Sequence, residues 1–241
     1  MNQALSYCGH VNSCQELRRL KAEKVRRILA GRRALAAAAV LDLGAGSGLL
    51  TGYLQPHCRS IVAADRDIGA FDVPGVAVHR IEGVMLPFET GDFDVVIYNH
   101  VIEHVGDRSA QHRALAEIWR VLAPGGTLYL AVPNRWTLIE PHYRLPFLSW
   151  LPQSVADIFV RRFRGGSWYD CNPLGRGELM RLMRGAGFEV EDASLEAIGH
   201  VVDLELEPGW KRSVIERIPQ RILRRARPML PSFVMIGTKA D

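Results

Sequence analysis

The sequence predicts an α/β domain, a doubly wound and mostly parallel sheet with helices on both faces. Three observations carry that expectation. Val40-Leu41-Asp42-Leu43-Gly44-Ala45-Gly46-Ser47-Gly48 is a short apolar run that meets an acid and then three glycines alternating with small residues. Ser60-Ile61-Val62-Ala63-Ala64-Asp65 is a second apolar run ending in an acid, 23 residues after Asp42. Beyond them, apolar runs of strand length continue to alternate with stretches of helical period, the pattern of βα units.

The elements follow in order. Ser13-x-x-Glu16 has the form of a capping box, and Leu17, Leu20, Val25 and Ile28 recur at roughly helical spacing. An amphipathic N-terminal helix is expected, ending near Gly31, as part of a helical cap over residues 1–35. The first strand is expected at about 39–44. The glycine turn then opens a helix that Gln55-Pro56-His57 helps to end. Strands are expected at about 60–65, 75–80, 93–98 and 127–132, with a helix from Ala110 to Val121 before the fifth. From Pro133 to about Gly175 the pattern lapses into a long insertion of aromatics, prolines and polar groups, whose prolines rule out one regular helix over 140–152. A helix from Leu174 to Gly185, a strand at 186–191 and a last strand at 232–237 complete the chain. Pro219 and Pro228 bracket a short basic helix within an insertion at 199–231.

Composition fits a single domain of 241 residues, 48% apolar and 23% charged. No apolar run approaches the ~20 residues needed to cross a bilayer. No signal-peptide pattern follows the N-terminal charges Arg18, Arg19, Lys21, Lys24, Arg26 and Arg27. Cys8, Cys14, Cys58 and Cys171 are too scattered for a disulfide framework, and no C-x-x-C points to zinc, so reduced thiols in the cytoplasm are expected. The net charge is only +4, yet residues 211–227 hold seven basic side chains against the single acid Glu216. That local basicity is either a solvated face or an attraction to an anionic partner.

The glycine spacing separates cofactor classes. A dinucleotide loop reads G-x-G-x-x-G, but three residues past Gly46 stands Leu49, and the third glycine comes one place early. The Asp-x-Gly-x-Gly-x-Gly spacing resembles the nucleoside-binding loop of class I S-adenosylmethionine (SAM) methyltransferases. Three downstream segments resemble the same family: Asp65 at the end of the second strand, Glu82-Gly83-Val84-Met85-Leu86-Pro87-Phe88, and Leu122-Ala123-Pro124-Gly125-Gly126 before the fifth strand. Glu82 and Val84 depart from the family's Asp and Glu at those places. The matches run in order from about residue 38 to 135.

The resemblance implies a Rossmann-like sheet of seven strands with the last antiparallel, SAM as cofactor, and an acceptor-binding insertion at 133–175. It places the cofactor against Asp42, Gly44, Ala45, Gly46, Gly48, Asp65, Arg66, Glu82, Gly83, Val84 and Asn99. An acid at Asp65 suits two ribose hydroxyls.

Methyl transfer to an oxygen requires an aligned nucleophile and usually a base. His100 and His104, just after strand four, and His142 in the insertion are the candidate catalytic residues, since imidazole titrates near neutrality. Equally, Glu103 and His104 can cap the next helix, and His142 can pack under an aromatic lid. Tyr98 to His104 also resembles the E-x-x-E-H of ubiquinone-pathway O-methyltransferases, a cluster that can hold a divalent cation. Here His100 replaces the first Glu, and no metal is assigned.

Trp136, Glu140, Tyr143, Trp150 and Trp168 are the expected substrate-binding residues, some of the tryptophans serving instead as lid core. The expected activity is O-methylation of a glycan-like or lipid-linked acceptor, with peripheral contact to an anionic membrane at its inner face. A diffusible natural product or quinone precursor, and a non-catalytic SAM-binding regulatory subunit, are the alternatives. Nucleic acid is disfavoured: no N/D-P-P-Y/F segment follows strand four.

Overall fold

The computed structural model describes residues 11–165, 168–206 and 209–240. Its seven-stranded sheet has the order β3-β2-β1-β4-β5-β7-β6. The strands are β1 (Ala39–Leu43), β2 (Ser60–Asp65), β3 (Val78–Arg80), β4 (Phe93–Asn99), β5 (Leu122–Pro133), β6 (Phe188–Asp192) and β7 (Ser232–Lys239). β7 runs antiparallel to both β5 and β6, and the other pairings are parallel, as the resemblance implied. The helices are α1 (Val11–Ala30), α2 (Leu49–Leu54), α3 (Arg108–Val121), α4 (Gln153–Arg164), α5 (Arg176–Gly185), α6 (Ser194–Glu205), α7 (Trp210–Glu216) and α8 (Gln220–Ala226).

Alternation along the strands sends neighbouring residues into two separate cores. Leu41, Val96 and Leu130 face one side, where Leu115 and Ile118 of α3 and Leu179 and Met183 of α5 cover them. Val40, Val95, Ile97 and Tyr129 face the other, against Val25, Ile28 and Leu29 of α1 and Ala197 of α6. Each fully buried side chain of this size contributes about 1.5–3 kcal/mol. Because both faces are covered, the central strands read as unbroken apolar runs.

Several expectations need correction. α1 already runs from Val11, so Ser13 lies inside the helix and cannot cap it. Leu17 is exposed and Ala22 and Leu29 are buried in its place, because the buried residues of α1 among those described, with Val25 and Ile28, all lie in its C-terminal half. Residues 1–10 of the expected cap, Cys8 among them, lie outside the described residues. β3 is three residues long, since Gly75 at φ 75° makes a turn of the segment before it.

No regular helix spans 140–152 of the 133–175 segment, but α4 follows directly after it. α4 starts directly after Pro152, where a proline is harmless at a helix start. Leu148, Ala156, Val160, Tyr169 and Cys171 give this segment a small core of its own. The basic stretch at 211–227 is two short helices broken at Pro219, which precedes α8. No helix among the described residues is long and apolar enough to cross a membrane.

Candidate functional site

The turn out of β1 is built on three left-handed glycines. Gly44, Gly46 and Gly48 have φ of 81°, 55° and 79°, where a side chain is strained. Space differs among them. A Cβ on Gly44 would lie 2.2 Å from Val101 Cγ2, and one on Gly48 would lie 2.4 Å from Val73 Cγ2. A Cβ on Gly46 would meet nothing within 4 Å, so this glycine faces open space. Ala45 lies between them, half-buried.

Asp42 and Asp65 divide the work of holding the turn. Asp42 is buried and accepts a 2.6 Å hydrogen bond from Thr51 Oγ1, tying β1 to the first turn of α2. Burial pushes its pKa up to about 6. Its carboxylate thus supports the loop from behind and does not face the cleft. Asp65 Oδ2 accepts from Gly46 N at 2.8 Å, and its Oδ1 from Asp67 N at 3.0 Å. That carboxylate sits at the mouth of the turn, at the carboxyl end of β2.

A cleft of about 260 Å³ runs along the carboxyl ends of β1, β2 and β4, where α/β folds bind ligands. Its walls include Gly44, Asp65, Arg66, Gly83, Val84, Tyr98, His100 and His104. Glu82 is exposed and is not among them. A Cβ on Gly83 would meet nothing within 4 Å, so the 83–84 backbone borders the cleft without obstruction. Asn99 lies on a neighbouring cleft, which it shares with His100, Ser47 and the cations Arg18, Lys21 and Lys24 of α1. The sequence reading did not assign that cationic wall, since it took these charges only as evidence against a signal peptide.

His100 borders both clefts. It holds φ 58°, an uncommon conformation for a residue other than glycine, which its backbone N–H fixes by donating to Ala131 O at 2.8 Å. Its Nδ1 lies 3.7 Å from Glu103 Oε1. Glu103 is wholly buried, and neither carboxylate oxygen has a hydrogen-bond partner among the described residues.

His104 and His142 meet edge to face with ring centroids 5.0 Å apart, and Cys171 closes the group. The thiol Sγ is 3.7 Å from Nδ1 of each imidazole. Around them, Glu140 is buried and binds His142 Nδ1 at 2.9 Å and the Tyr143 amide at 2.6 Å. The hydrogen bond to Glu140 raises the pKa of His142. Asp170 accepts from the Tyr143 hydroxyl at 2.7 Å and lies 3.8 Å from His104 Nδ1.

Of the expected substrate residues, Glu140 and Tyr143 therefore join this group. Trp136 and Trp150 pack against each other, centroids 5.9 Å apart, and border neither cleft. Trp168 is exposed. An oxygen-ligated divalent cation of the E-x-x-E-H type does not fit the post-β4 turn, where Glu103 is the lone carboxylate and His100 lies outside the buried group.

Comparison with known proteins matches the same region. A methyltransferase domain model aligns with residues 41–130. The chain is 28% identical over 193 residues to a probable S-adenosylmethionine-dependent methyltransferase of Mycolicibacterium smegmatis, covering 78% of this chain and 65% of that one. It is 30% identical over 172 residues to the ubiquinone biosynthesis O-methyltransferase of Xanthomonas euvesicatoria, covering 66% of each. The chain thus spans just under two thirds of the length of these relatives. Among solved structures, a methyltransferase in complex with the Haloferax volcanii Trm112 activator superposes with a TM-score of 0.60 at 19% identity, over 95% of each chain. A SAM-dependent methyltransferase of Archaeoglobus fulgidus superposes with a TM-score of 0.58 at 16% identity, over 92% of this chain and 94% of that one.

Proposed function

We propose that the chain is a class I S-adenosylmethionine-dependent methyltransferase and that it methylates a hydroxyl of a lipid-linked or glycan-like acceptor. When bound, SAM supplies a methyl group already activated on a sulfonium. The residues that would hold it fit: Asp65 for the ribose hydroxyls, the 44–48 backbone along the open side of Gly46, and the Gly83–Val84 backbone at the base. The cations Arg18, Lys21 and Lys24 suit the carboxylate of the methionyl arm.

His100 is the base in this reading. It alone of the three histidines borders both clefts, and its Nδ1 lies 3.7 Å from the buried Glu103, which orients the ring. His142, held by Glu140, and His104 stand on the insertion side.

The observation that carries the acceptor class is the surface of the 133–175 segment. Ile139, Phe147, Trp150, Ile158, Phe163 and Trp168 are all exposed there, beside Arg161, Arg162 and Arg164. Apolar side chains mixed with arginines suit the interface of an anionic membrane, here its cytoplasmic side. The exposed Arg221, Arg224 and Arg225 of α8 add to the attraction. The relatives named ubiquinone biosynthesis O-methyltransferase favour a quinone precursor as a second acceptor within the same chemistry.

An acceptor screen with methyl-labelled SAM tests the reading. Lipid-linked acceptors in vesicles are expected to be labelled faster than their water-soluble head groups, with mass analysis placing the methyl on oxygen. Labelling of soluble acceptors alone would overturn the lipid-linked class, and no turnover with intact SAM binding would favour a regulatory subunit.

A further inference from the structure

Among the described residues, His104, His142 and Cys171 offer one donor atom each, all within 4.8 Å of one another. The three come from two places in the chain, the turn after β4 and the 133–175 segment, so no sequence spacing announces them. We infer that these three residues form a binding site for zinc, which ties the 133–175 segment to the wall of the cofactor cleft.

The distances suit the ion. Zinc bonds of about 2.3 Å to sulfur and 2.0–2.1 Å to nitrogen, at the tetrahedral angle, put the two donors about 3.6 Å apart. Cys171 Sγ and His104 Nδ1 are 3.7 Å apart. His142 Nδ1 lies at the same 3.7 Å from the thiol, so ligation through Nδ1 would exchange its 2.9 Å hydrogen bond to Glu140 for the ion and leave that carboxylate beside it. The donor set chooses the metal class. Two imidazoles and a thiolate suit zinc, whereas magnesium and calcium take oxygen ligands.

Charge points the same way. Glu103 is buried with both oxygens unpartnered, and Oε1 lies 4.0 Å from His142 Nε2. Asp170 stands on the other side, 3.5 Å from the thiol and 3.8 Å from His104. Three carboxylates, counting Glu140, thus surround a thiol and two imidazoles, with no Lys or Arg ion pair to any of the three among the described residues. Zinc binding would displace the thiol proton and offset the negative charge of these carboxylates.

Three protein ligands leave one tetrahedral position for water or another oxygen. His104 also borders the cofactor cleft, so the ion would stand beside it and would hold the two segments together. This is independent of the proposed acceptor, because the ion is read by its own signals and not by turnover.

The test uses the full chain, expressed without a histidine tag, with Zn²⁺ and Co²⁺ as probes. About one zinc per chain is expected by elemental analysis after dialysis. Replacing it with Co²⁺ should give the visible bands of a tetrahedral site and a thiolate-to-cobalt charge-transfer band. The variant C8S/C14S/C58S keeps all three ligands and should keep that band, which assigns it to Cys171. Cys171→Ser should abolish the band, and Glu140→Gln should weaken zinc binding by roughly 10–100-fold. A protein that retains neither ion, or a charge-transfer band that survives Cys171→Ser or vanishes in the triple serine variant, would overturn the site.

Discussion

Replacing Gly44 by alanine should damage folding, whereas replacing Gly46 should damage ligand binding, although the two glycines are two residues apart in one turn. At Gly44 two costs combine. A non-glycine residue at φ 81° costs about 1–2 kcal/mol. The new Cβ would also lie 2.2 Å from Val101 Cγ2 and 3.1 Å from its Cγ1, an overlap of the kind that costs about 1–3 kcal/mol in packed interiors. The expected loss is about 2–5 kcal/mol. Val101→Ala removes both γ-carbons, so the double variant should regain about 1–3 kcal/mol relative to additivity, the backbone cost remaining. At Gly46 no atom lies within 4 Å of the added Cβ, and φ is 55°, so stability should fall by only about 1 kcal/mol. The Cβ would project into the space left for the cofactor, however, and SAM affinity should fall by roughly tenfold or more, equivalent to ~1.4 kcal/mol. Urea unfolding followed by circular dichroism and calorimetric titration with SAM separate the two effects. A Gly44→Ala protein as stable as the wild type, or a Gly46→Ala protein with normal SAM affinity, would refute the reasoning.

Further outcomes are expected elsewhere. Because burial raises the folded-state pKa of Asp42 to about 6, above the unfolded value, its contribution is full below pH ~4 and is lost as pH rises through 6. At 1.36 kcal/mol per unit, Asp42→Asn should therefore gain about 2–3 kcal/mol on the wild type between pH 4 and 7, and a pH-independent difference in urea unfolding would refute this. His100→Ala should lower kcat by roughly 10²–10⁴-fold with SAM affinity retained; near-normal turnover would remove His100 as base. Ile158→Ser/Phe163→Ser should cut sedimentation with anionic vesicles, and Arg221, Arg224 and Arg225 changed to Glu should weaken it further at low salt. If wild type ignores such vesicles at low ionic strength, the exposed faces of α4 and α8 have another use.

The parts of the site that lie on one continuous segment were legible in the sequence. The glycine turn and Asp65 announce themselves because a tight turn at the end of a buried strand tolerates few residue types. Asp42 was legible as part of the same motif, but its carboxylate is used up by Thr51, a partner nine residues on that no motif names. Glu82 falls in a matching segment, yet the turn at Gly83 leaves its side chain outside the cleft. The cluster of His104, His142 and Cys171 was invisible as a unit, since 67 residues separate His104 from Cys171 and only the packing of the 133–175 segment brings them together. α4 was obscured by the prolines before it, although Val155, Ala156, Phe159, Val160 and Phe163 recur at helical spacing; of its apolar residues Ala156 and Val160 are buried while Ile158 and Phe163 are exposed.

The position of β7 has a consequence for biosynthesis. The latest strand in chain order is an interior strand, flanked by β5 and β6, and Lys239 near its end donates to Trp119 O and Leu122 O. A ribosome delivering the chain from its N-terminus would release β1 to β5, then the 133–175 segment, then β6, with β6 having no neighbour to pair with. Until β7 arrives, β5 offers an open edge along Thr127 to Pro133, the stretch that leads directly into the 133–175 segment. The cofactor half can therefore condense during synthesis, while the far half must wait for β7 at 232–239. Nascent chains stalled before residue 232 should accordingly be rich in exposed strand edge and should depend on holding chaperones, whereas release of β7 closes both gaps in a single docking event.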